Sequence, residues 1–228
     1  SFTDFSVFKI TFNAGPVNNI KRTSGTGILR VVDSKGALYG EGNDNDSGDP
    51  GALIHFVNTF YSKGDGNFSL LSNWETTDGN SPIALNLTNG RNLFTIRDGH
   101  TVTLDMDIDV RNLFIGEGAS GSLVLGDNTT ARTMLIRDSL SVLSGGSLTV
   151  SSNDAIHTLL LEGSIINQGT IDLYNSASQL ADVDFYGVTK EIGPVMPQFA
   201  NVTFKISSSF TLTSNITVNG YLSIETGA

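Results

Sequence analysis

A four-residue pattern that recurs along the chain limits the folds it can adopt more than any other feature. Arg91-Asn92-Leu93-Phe94 returns as Arg111-Asn112-Leu113-Phe114, and looser copies follow at Arg132-Thr133-Met134-Leu135 and His157-Thr158-Leu159-Leu160. The copies lie about 20 to 25 residues apart, a period typical of solenoid proteins. A short alternating segment follows each copy and predicts a second strand, at residues 101–104, 122–125, 147–150 and 170–173. Looser units follow around residues 183–186 and 201–206.

A repeat unit of this size is too small to bury its own apolar side chains. Stacking the units joins those side chains into one core, and equal spacing lets each strand pair with its copy in the next unit. The sequence therefore predicts an all-β fold in which residues 58–228 form a parallel β-helix, a β-solenoid with coils of about 20–25 residues. A β-sandwich also has short strands and tight turns, but it does not require a fixed period or a recurring tetrapeptide.

The first 57 residues lack this period and are predicted to form a small β-rich N-terminal cap or domain. Alternating Phe8, Ile10 and Phe12 indicate a strand. Residues 28–32 and 37–39 flank a four-residue turn with Asp first and Gly last, which predicts a hairpin. Residues 52–61 fit a short helix or a strand equally. The chain starts at Ser1 and stops at Ala228, so we expect a piece of a longer protein, with the β-helix truncated at its C-terminal end.

Composition argues against several classes of function. The formal net charge is −10, with 13 Lys and Arg against 23 Asp and Glu, so the chain lacks the basic footprint of a nucleic-acid-binding protein. It contains no cysteine, which excludes disulfides, thiolate catalysis and thiolate-ligated zinc or iron–sulfur sites. No apolar run reaches the ~18 residues of a membrane helix, so we expect no membrane insertion.

Two sets of short motifs occur in a fixed order. The first set is Phe60-Tyr61-Ser62, Gly66-Asn67-Phe68, Asn73-Trp74-Glu75-Thr76-Thr77, Phe94-Thr95-Ile96 and Gly99-His100-Thr101-Val102-Thr103-Leu104. The second set is Val183-Asp184-Phe185-Tyr186, Ile192-Gly193, Phe199-Ala200-Asn201-Val202-Thr203-Phe204, Phe210-Thr211-Leu212 and Ile216-Thr217-Val218-Asn219-Gly220-Tyr221-Leu222. Together, over roughly residues 58–227, they resemble the β-helical repeat regions of very large cell-surface proteins of Bacteroidetes bacteria.

This resemblance implies a location and a role. It implies export by the type IX secretion system and display on the bacterial cell surface, with the secretion machinery and outer-membrane envelope proteins as partners. Some of these proteins are gliding-motility adhesins, long filaments that hold a substratum while the cell moves them, and others are static adhesins or secreted scaffolds. The chain is therefore expected to be a structural and adhesive module, not an enzyme, whose target is an extracellular surface or polysaccharide.

Two acidic clusters are candidates for calcium, the one cofactor that the sequence suggests. Asp44, Asp46 and Asp49 lie in a polar loop, which is able to fold its oxygens around one hard cation, although the EF-hand pattern is absent. Asp105, Asp107 and Asp109 alternate on a predicted strand, so their carboxylates share one face. Neighbours on that face lie nearly 7 Å apart, which favours a solvated strand over an ion site.

Two further residues are candidates for binding and modification. Trp74, the single tryptophan, offers an aromatic face on which a pyranose ring stacks. In the related surface proteins the Asn73-Trp74 pair starts the β-helix, so the resemblance favours packing over the first coil. Asp138-Ser139-Leu140 resembles the short O-glycosylation acceptor motif of these bacteria, which makes Ser139 a candidate for modification.

The alternative function is that of a carbohydrate-binding or polysaccharide-degrading β-helix protein. Such enzymes use carboxylates and basic residues on one face, and Arg97-Asp98 and Arg137-Asp138 occupy similar places in two repeat units. A paired ladder of salt bridges explains the same residues more simply. His100 lies in a motif that the resemblance places at a coil corner, which indicates a structural turn. In a third interpretation, residues 1–57 anchor the chain to an envelope protein and the solenoid is a spacer.

Overall fold

The structure is a computed structural model that describes residues 29–32, 38–42, 59–76, 79, 90, 92–126, 130–151, 155–176 and 179–226. The chain divides into two compact units, Ser1–Val57 and Asn58–Ala228. In the first unit, β1 (Leu29–Val32) pairs antiparallel with β2 (Leu38–Gly42), which confirms the predicted hairpin. The strand predicted around Phe8, Ile10 and Phe12 lies outside the described residues.

In the described part of the second unit, the regular elements are β-strands and one three-residue 3₁₀ helix, Leu71–Asn73. The first strands are β3 (Thr59–Ser62), β4 (Gly66–Asn67), β5 (Trp74–Thr76), β6 (Leu93–Ile96), β7 (Thr101–Leu104), β8 (Ile108–Ile115), β9 (Ser122–Leu125), β10 (Thr133–Val142), β11 (Ser147–Val150) and β12 (His157–Leu161). The later strands are β13 (Ser164–Asn167), β14 (Thr170–Asp172), β15 (Tyr174–Ser176), β16 (Gln179–Phe185), β17 (Lys190–Pro194), β18 (Gln198–Phe199), β19 (Asn201–Phe204), β20 (Phe210–Leu212), β21 (Thr217–Val218) and β22 (Leu222–Ile224).

Apart from β5 and β15, which pair antiparallel with β3 and β16, these strands form three stacks in which successive members pair in parallel. The first stack is β8, β10, β12, β16, β19 and β22; the second is β3, β6, β8, β10, β13, β17 and β20; the third is β4, β7, β9, β11, β14, β18 and β21. The long strand β10 serves two stacks, since residues 133–136 pair with β12 and residues 139–142 pair with β13. The all-β prediction is confirmed, and the parallel stacks are consistent with a β-solenoid.

The length of a coil, meaning the stretch of chain that adds one strand to each stack, varies more than predicted. Asp182 pairs with Asn201, 19 residues on, whereas Asn112 pairs with Ser139, 27 residues on. One extra residue lies inside β10, where the register against β8 shifts between Ile136 and Ser139. This irregularity falls between the half of β10 that belongs to the first stack and the half that belongs to the second, so the register within each stack is preserved. The predicted second strands are confirmed, because all four fall in the third stack as β7, β9, β11 and β14.

The copies of the recurring tetrapeptide are not all structurally equivalent. The third and fourth pair in register, Met134 with Leu159, but the first two do not. Phe94 pairs with Leu113 and not with Phe114, so the second copy has slipped by one residue. Because side chains alternate along a strand, this slip points Phe94 into the core and Phe114 to the opposite face. The third copy lies in another stack altogether, since Met134 pairs with Ile108.

Inward-facing side chains from all three stacks share one core. Val110 in the first stack, Leu113 in the second and Leu123 in the third are fully buried in the same cluster. Four rings fill the core near its start: Phe60, Phe68, Trp74 and Phe94, with neighbouring centroids 4.8–4.9 Å apart. A second aromatic cluster lies near the other end, formed by Phe185, Phe199, Phe204 and Phe210. Burial of these apolar faces stabilises coils that have no core of their own.

Glycine permits the corner between the second and third stacks to be tight. Gly145 has a φ of +75°, which L side chains rarely adopt. A Cβ at this position would collide with the carbonyl oxygen of Ala119, one coil earlier. The close axial spacing of parallel strands therefore requires glycine where corners stack directly on one another.

The slipped register can be tested with a matched pair of substitutions from the two tetrapeptide copies. We expect Phe94→Ala to lower the free energy of unfolding by about 3–5 kcal/mol, because it empties a fully buried aromatic site. Phe114→Ala, at a half-buried outward position, should lower it by about 1 kcal/mol or less. Denaturant unfolding followed by circular dichroism measures both, and equal losses would contradict the assigned register.

Candidate functional site

The two acidic clusters proposed for calcium have different outcomes. Asp44, Asp46 and Asp49 lie outside the described residues. In the part of the chain that is described, no group of three or more His, Asp or Glu side chains is placed to hold a metal ion. Asp105, Asp107 and Asp109 each serve a different partner, so the structure does not bring their carboxylates together around one point.

Those three aspartates instead connect coils. The carboxylate of Asp105 accepts hydrogen bonds from the backbone N–H of Ser69 at 2.9 Å and from its hydroxyl at 2.6 Å. Asp107 accepts from the backbone N–H of Thr133 at 2.8 Å, one coil later. The expectation of a merely solvated face is therefore incomplete, since each carboxylate ties two coils together.

Trp74 is a core residue, and its burial contradicts the prediction that it forms a sugar-stacking platform. Its side chain is 0% exposed and lies within van der Waals reach of the rings of Phe68 and Phe94. Its indole N–H donates to the carbonyl oxygen of Phe68 at 2.9 Å, which satisfies the one polar atom that burial would otherwise leave unpaired. A ring enclosed in this way presents no face to a sugar.

Ser139 lies in the middle of β10, on the outward side of the second stack. Its side chain is partly exposed, and its hydroxyl oxygen accepts a hydrogen bond from the Asn112 amide at 2.7 Å. Asn112 also reaches Asp138 at 3.3 Å. The candidate modification site is thus part of a polar contact between two neighbouring coils, and its modification stays a prediction.

Asp98 occupies a cradle of backbone amides at a corner of the next coil. Its carboxylate accepts from the N–H groups of Glu117 at 2.7 Å, Ser120 at 3.0 Å and Ala119 at 3.3 Å. These hydrogen bonds favour the charged form, and those from Glu117 and Ser120 contribute most to lowering the pKa of Asp98 below its ordinary value. The carboxylate therefore satisfies backbone N–H groups of the adjoining coil.

Arg137 bridges the coils on both sides of its own. Its guanidinium makes two parallel hydrogen bonds to Asp109, at 2.8 and 2.7 Å, and contacts Glu162 at 3.1 Å. Asp109 precedes it by one coil and Glu162 follows it by one. The hydrogen bond to Asp109, together with the charges of both acids, raises the pKa of Arg137 above its already high value. One cation thus connects three consecutive coils.

Lys205 repeats this arrangement three coils later. Its ammonium lies 3.0 Å from Asp184, one coil earlier, and 3.4 Å from Glu225, one coil later. It also lies 5.9 Å from the centroid of the Tyr186 ring. The hydrogen bond to Asp184 is the main reason that the pKa of Lys205 is raised. The same contact pattern thus occurs at two places in the fold. It depends on the register of the strands and not on local sequence similarity.

Both cations belong to a column that runs along the outside of the first stack. We call it the corner column, and it consists of the residues that immediately follow the paired apolar residues of successive strands: Arg111, Arg137, Glu162, Tyr186, Lys205 and Glu225. The apolar residue before each member is paired in register with its counterpart in the next coil. Opposite charges directly above one another stabilise parallel strands, whereas like charges do the reverse.

The corner column was not predicted from the sequence, although the sequence contains a signal for it. An apolar residue is followed by a polar or charged one at Val110-Arg111, Ile136-Arg137, Leu161-Glu162, Phe185-Tyr186, Phe204-Lys205 and Ile224-Glu225. Aligning the units on the tetrapeptide repeat places their strands in a different register. Pairing the apolar residues that end each first-stack strand would have aligned these six positions.

The ladder of salt bridges predicted between Arg97-Asp98 and Arg137-Asp138 is not formed, because these residues have other partners. Arg97 pairs with Glu75, lies 3.9 Å from Glu117, and stacks 4.9 Å from the centroid of the Tyr61 ring. Asp98 binds backbone amides, and Asp138 lies 3.6 Å from Arg111. Ion pairs between coils are therefore present, but with partners other than those the sequence suggested.

The described histidines make structural contacts. His100 Nδ1 lies 2.7 Å from the hydroxyl of Ser62, which itself accepts from the backbone N–H of Arg97 at 2.9 Å. Ser62 is fully buried, so its hydroxyl is closed to a substrate. His157 is buried as well, and its Nδ1 accepts from the backbone N–H of Arg132 at 3.1 Å. These contacts agree with a turn at His100.

The Asp98 cradle predicts an acid-dependent loss of stability. A carboxyl whose folded pKa is lowered stabilises the fold at pH values above its unfolded pKa of about 3.9, and this stabilisation is lost as the pH falls through the folded value. We expect the free energy of unfolding to decline below about pH 4, and to decline less steeply in Asp98→Asn. Denaturant unfolding over a pH series measures the slopes. Glu191→Gln, on a strand outside this corner, is the charge-matched control, and an equal change of slope in both variants would contradict the assignment.

The three-coil bridge of Arg137 predicts a salt-dependent effect. Arg137→Gln should lower the free energy of unfolding by about 0.5–1 kcal/mol, since the pairs are partly exposed, and the difference from the parent should shrink at high salt. Lys63→Gln, at an exposed position, removes the same charge and is expected to have a smaller effect. A loss for Arg137→Gln that is unchanged by salt would indicate packing by the side-chain stem instead.

Comparison with protein-family models, with curated proteins and with solved structures found no match. Among the described residues, no helix has the length and apolar character that are needed to cross a bilayer.

Proposed function

We propose that residues 58–228 form a parallel β-helix that serves as a structural and adhesive module of a large bacterial cell-surface filament, a gliding-motility or attachment adhesin. The observation that carries the proposal is the continuous axial connection between coils. Each coil hydrogen-bonds to the next through its backbone in three parallel stacks, and side-chain ties are added at the corners. A module of this kind suits a filament that projects from a cell or holds it under load.

The axial ties support a load-bearing role because they lie along the direction in which a filament is pulled. Backbone bonds such as Glu162 N–H to the carbonyl of Ile136, at 2.9 Å, run from coil to coil. Tension along the axis is thus shared among the three stacks and the ion pairs of the corner column. Solenoids also lengthen by adding coils without changing the rest of the fold, which suits very long proteins.

The surface chemistry agrees with an extracellular filament. A net charge of −10 gives the chain the same sign as an anionic cell envelope, which limits adhesion to the cell that carries it. The absence of cysteine makes stability independent of redox state. Together with the motif resemblance, these features favour display on a bacterial surface after export by the type IX secretion system.

The polysaccharide-active alternative has less support. Trp74 is enclosed, and the carboxylates of Asp98, Asp105 and Asp107 are each occupied by backbone groups of a neighbouring coil. An acid pair for glycoside hydrolysis requires two carboxyl groups that face a shared cleft. We therefore propose that the chain binds a surface or polysaccharide without chemical turnover, and that no residue is catalytic.

Live imaging tests the proposal. Antibody against the 228-residue chain is applied to intact cells of the source bacterium, and the label is followed while the cells move on glass. We expect surface label that travels along the cell, with cells slowed by the antibody, if the parent protein is a motility adhesin. Label that stays in place on the surface would indicate a static adhesin or stalk.

Two controls sharpen this experiment. Antibody pre-absorbed with the purified chain should neither label nor slow the cells. Cells broken before labelling report protein that is hidden inside the envelope. Signal found only in the medium, or only after breakage, would refute the surface-filament proposal and favour the polysaccharide-active alternative.

A further inference from the structure

One outward-facing column of the second stack alternates between large and small residues. We call it the ridged column, and it consists of six residues that pair in register from coil to coil: Tyr61, Thr95, Phe114, Ser141, Ile166 and Gly193. The residues on either side of Phe114 and of Ile166 are buried, so these two side chains point away from the core. The alternation arises from register, since the members lie far apart along the chain.

The large side chains form ridges, and the small ones form the floors of notches between them. Strands of adjacent coils lie about 4.8 Å apart, so Phe114 and Ile166, two coils apart, are separated by about 10 Å. Ser141 lies between them and is only 3% exposed although it faces outward, whereas Ile166 is 43% exposed. Thr95 lies in the same way between Tyr61 and Phe114. Each notch is therefore wide enough for one large side chain.

The ridged column is uncharged on a chain whose net charge is −10. The outward columns of the first stack, in contrast, contain the carboxylates of Asp109, Asp182 and Asp184. Two copies of so acidic a chain repel one another, and an uncharged surface is where they approach at the least electrostatic cost. The column thus combines apolar ridges with the absence of a like-charge barrier.

We propose that the ridged column binds the ridged column of a second copy of this chain, with the two copies antiparallel. A two-fold axis that crosses the column between Phe114 and Ser141 places each of these residues opposite the other residue of the second copy. The same axis places Ile166 opposite Thr95. A two-fold axis along the column would instead set Phe114 against Phe114, ridge on ridge. The antiparallel arrangement is therefore the one in which the column fits itself.

The contact is narrow and closed. Tyr61 and Gly193 meet at its two ends, where the Thr213 hydroxyl occupies part of the space that a Cβ at Gly193 would take, so the ends fit less deeply than the middle. Burial of the Phe114 and Ile166 side chains supplies the driving force. One column gives a small interface, which is typical of transient complexes, and a two-fold contact forms dimers without propagating. This inference does not depend on the cellular role proposed above.

Analytical ultracentrifugation of the 228-residue chain over a wide concentration range tests the proposal. We expect a reversible shift from the monomer mass to twice that mass, strengthened by salt because salt screens the repulsion between two acidic chains. Ile166→Lys should weaken the dimer at least tenfold, since it places a charge in a notch of the second copy. Ile166 is partly exposed in a single copy, so the variant should fold, which circular dichroism checks.

Ile156→Lys is the matched control. Ile156 is 50% exposed and lies between β11 and β12, at the corner between the third and first stacks, so the same chemical change is made away from the ridged column. It should leave the dimer intact. A chain that is monomeric at every concentration would overturn the proposal and leave the column to a partner of another kind. A dimer that survives Ile166→Lys, or one that Ile156→Lys also destroys, would overturn it as well.

Filling a notch separates a fitted contact from general apolar adhesion. Thr95→Phe adds an apolar ring at an outward position, where a single copy has room for it. If apolar area alone drove association, this ring would strengthen the dimer. The proposal predicts the reverse, a dimer weakened at least tenfold, because the notch that receives Ile166 is occupied. A dimer that is unchanged or strengthened by Thr95→Phe would overturn the fit of ridges into notches.

Thiol cross-linking tests the antiparallel orientation. The chain contains no cysteine, so each introduced thiol is unique. Thr95→Cys chains are mixed with Ile166→Cys chains that carry a size tag, and a short bismaleimide is added. We expect mixed dimers, because facing sheets lie about 10 Å apart, whereas the two Thr95 positions are a further three coils, about 14 Å, apart along the axis.

The control mixture pairs Ile166→Cys with Thr149→Cys, whose thiol lies on the outward side of the third stack, and should give no mixed dimer. Thr95→Cys chains linked mainly to one another would indicate parallel copies and overturn the proposed orientation. Equal cross-linking in both mixtures, or none in either, would overturn the contact itself.

Discussion

The structure of the second unit depends on one constraint, the in-register parallel pairing of each strand with the strand one coil later. Parallel pairing places every side chain directly above its counterpart. Apolar residues therefore form continuous buried columns, such as Val183 beneath Val202, and polar residues form continuous outer ones. The number of residues in a coil varies, but a shift of one residue in the pairing within a stack would turn a buried column toward solvent.

The same constraint explains how the second unit accommodates its many carboxylates. Carboxylates in a column would repel one another if they were stacked alike. Many are instead directed to backbone amides or to cations of an adjoining coil. Asp98 and Asp107 accept from main-chain N–H groups, and Asp109 and Asp184 pair with Arg137 and Lys205. Side chains that look like candidate metal or catalytic residues in the sequence are thus ties between coils.

The sequence by itself determined the class of fold and the places of many strands. Alternating apolar residues at 101–104, 122–125 and 147–150 are sufficient, because a strand with one buried face has a period of two. Only the tertiary structure decided register. Two copies of Arg-Asn-Leu-Phe look equivalent in sequence, yet Phe94 is buried and Phe114 faces outward, because pairing energy depends on the whole column and not on four residues. Contacts that join residues 19 to 36 positions apart, including the Asp98 cradle, the Arg137 bridge and the enclosure of Trp74, depend on that register and could not be predicted without it.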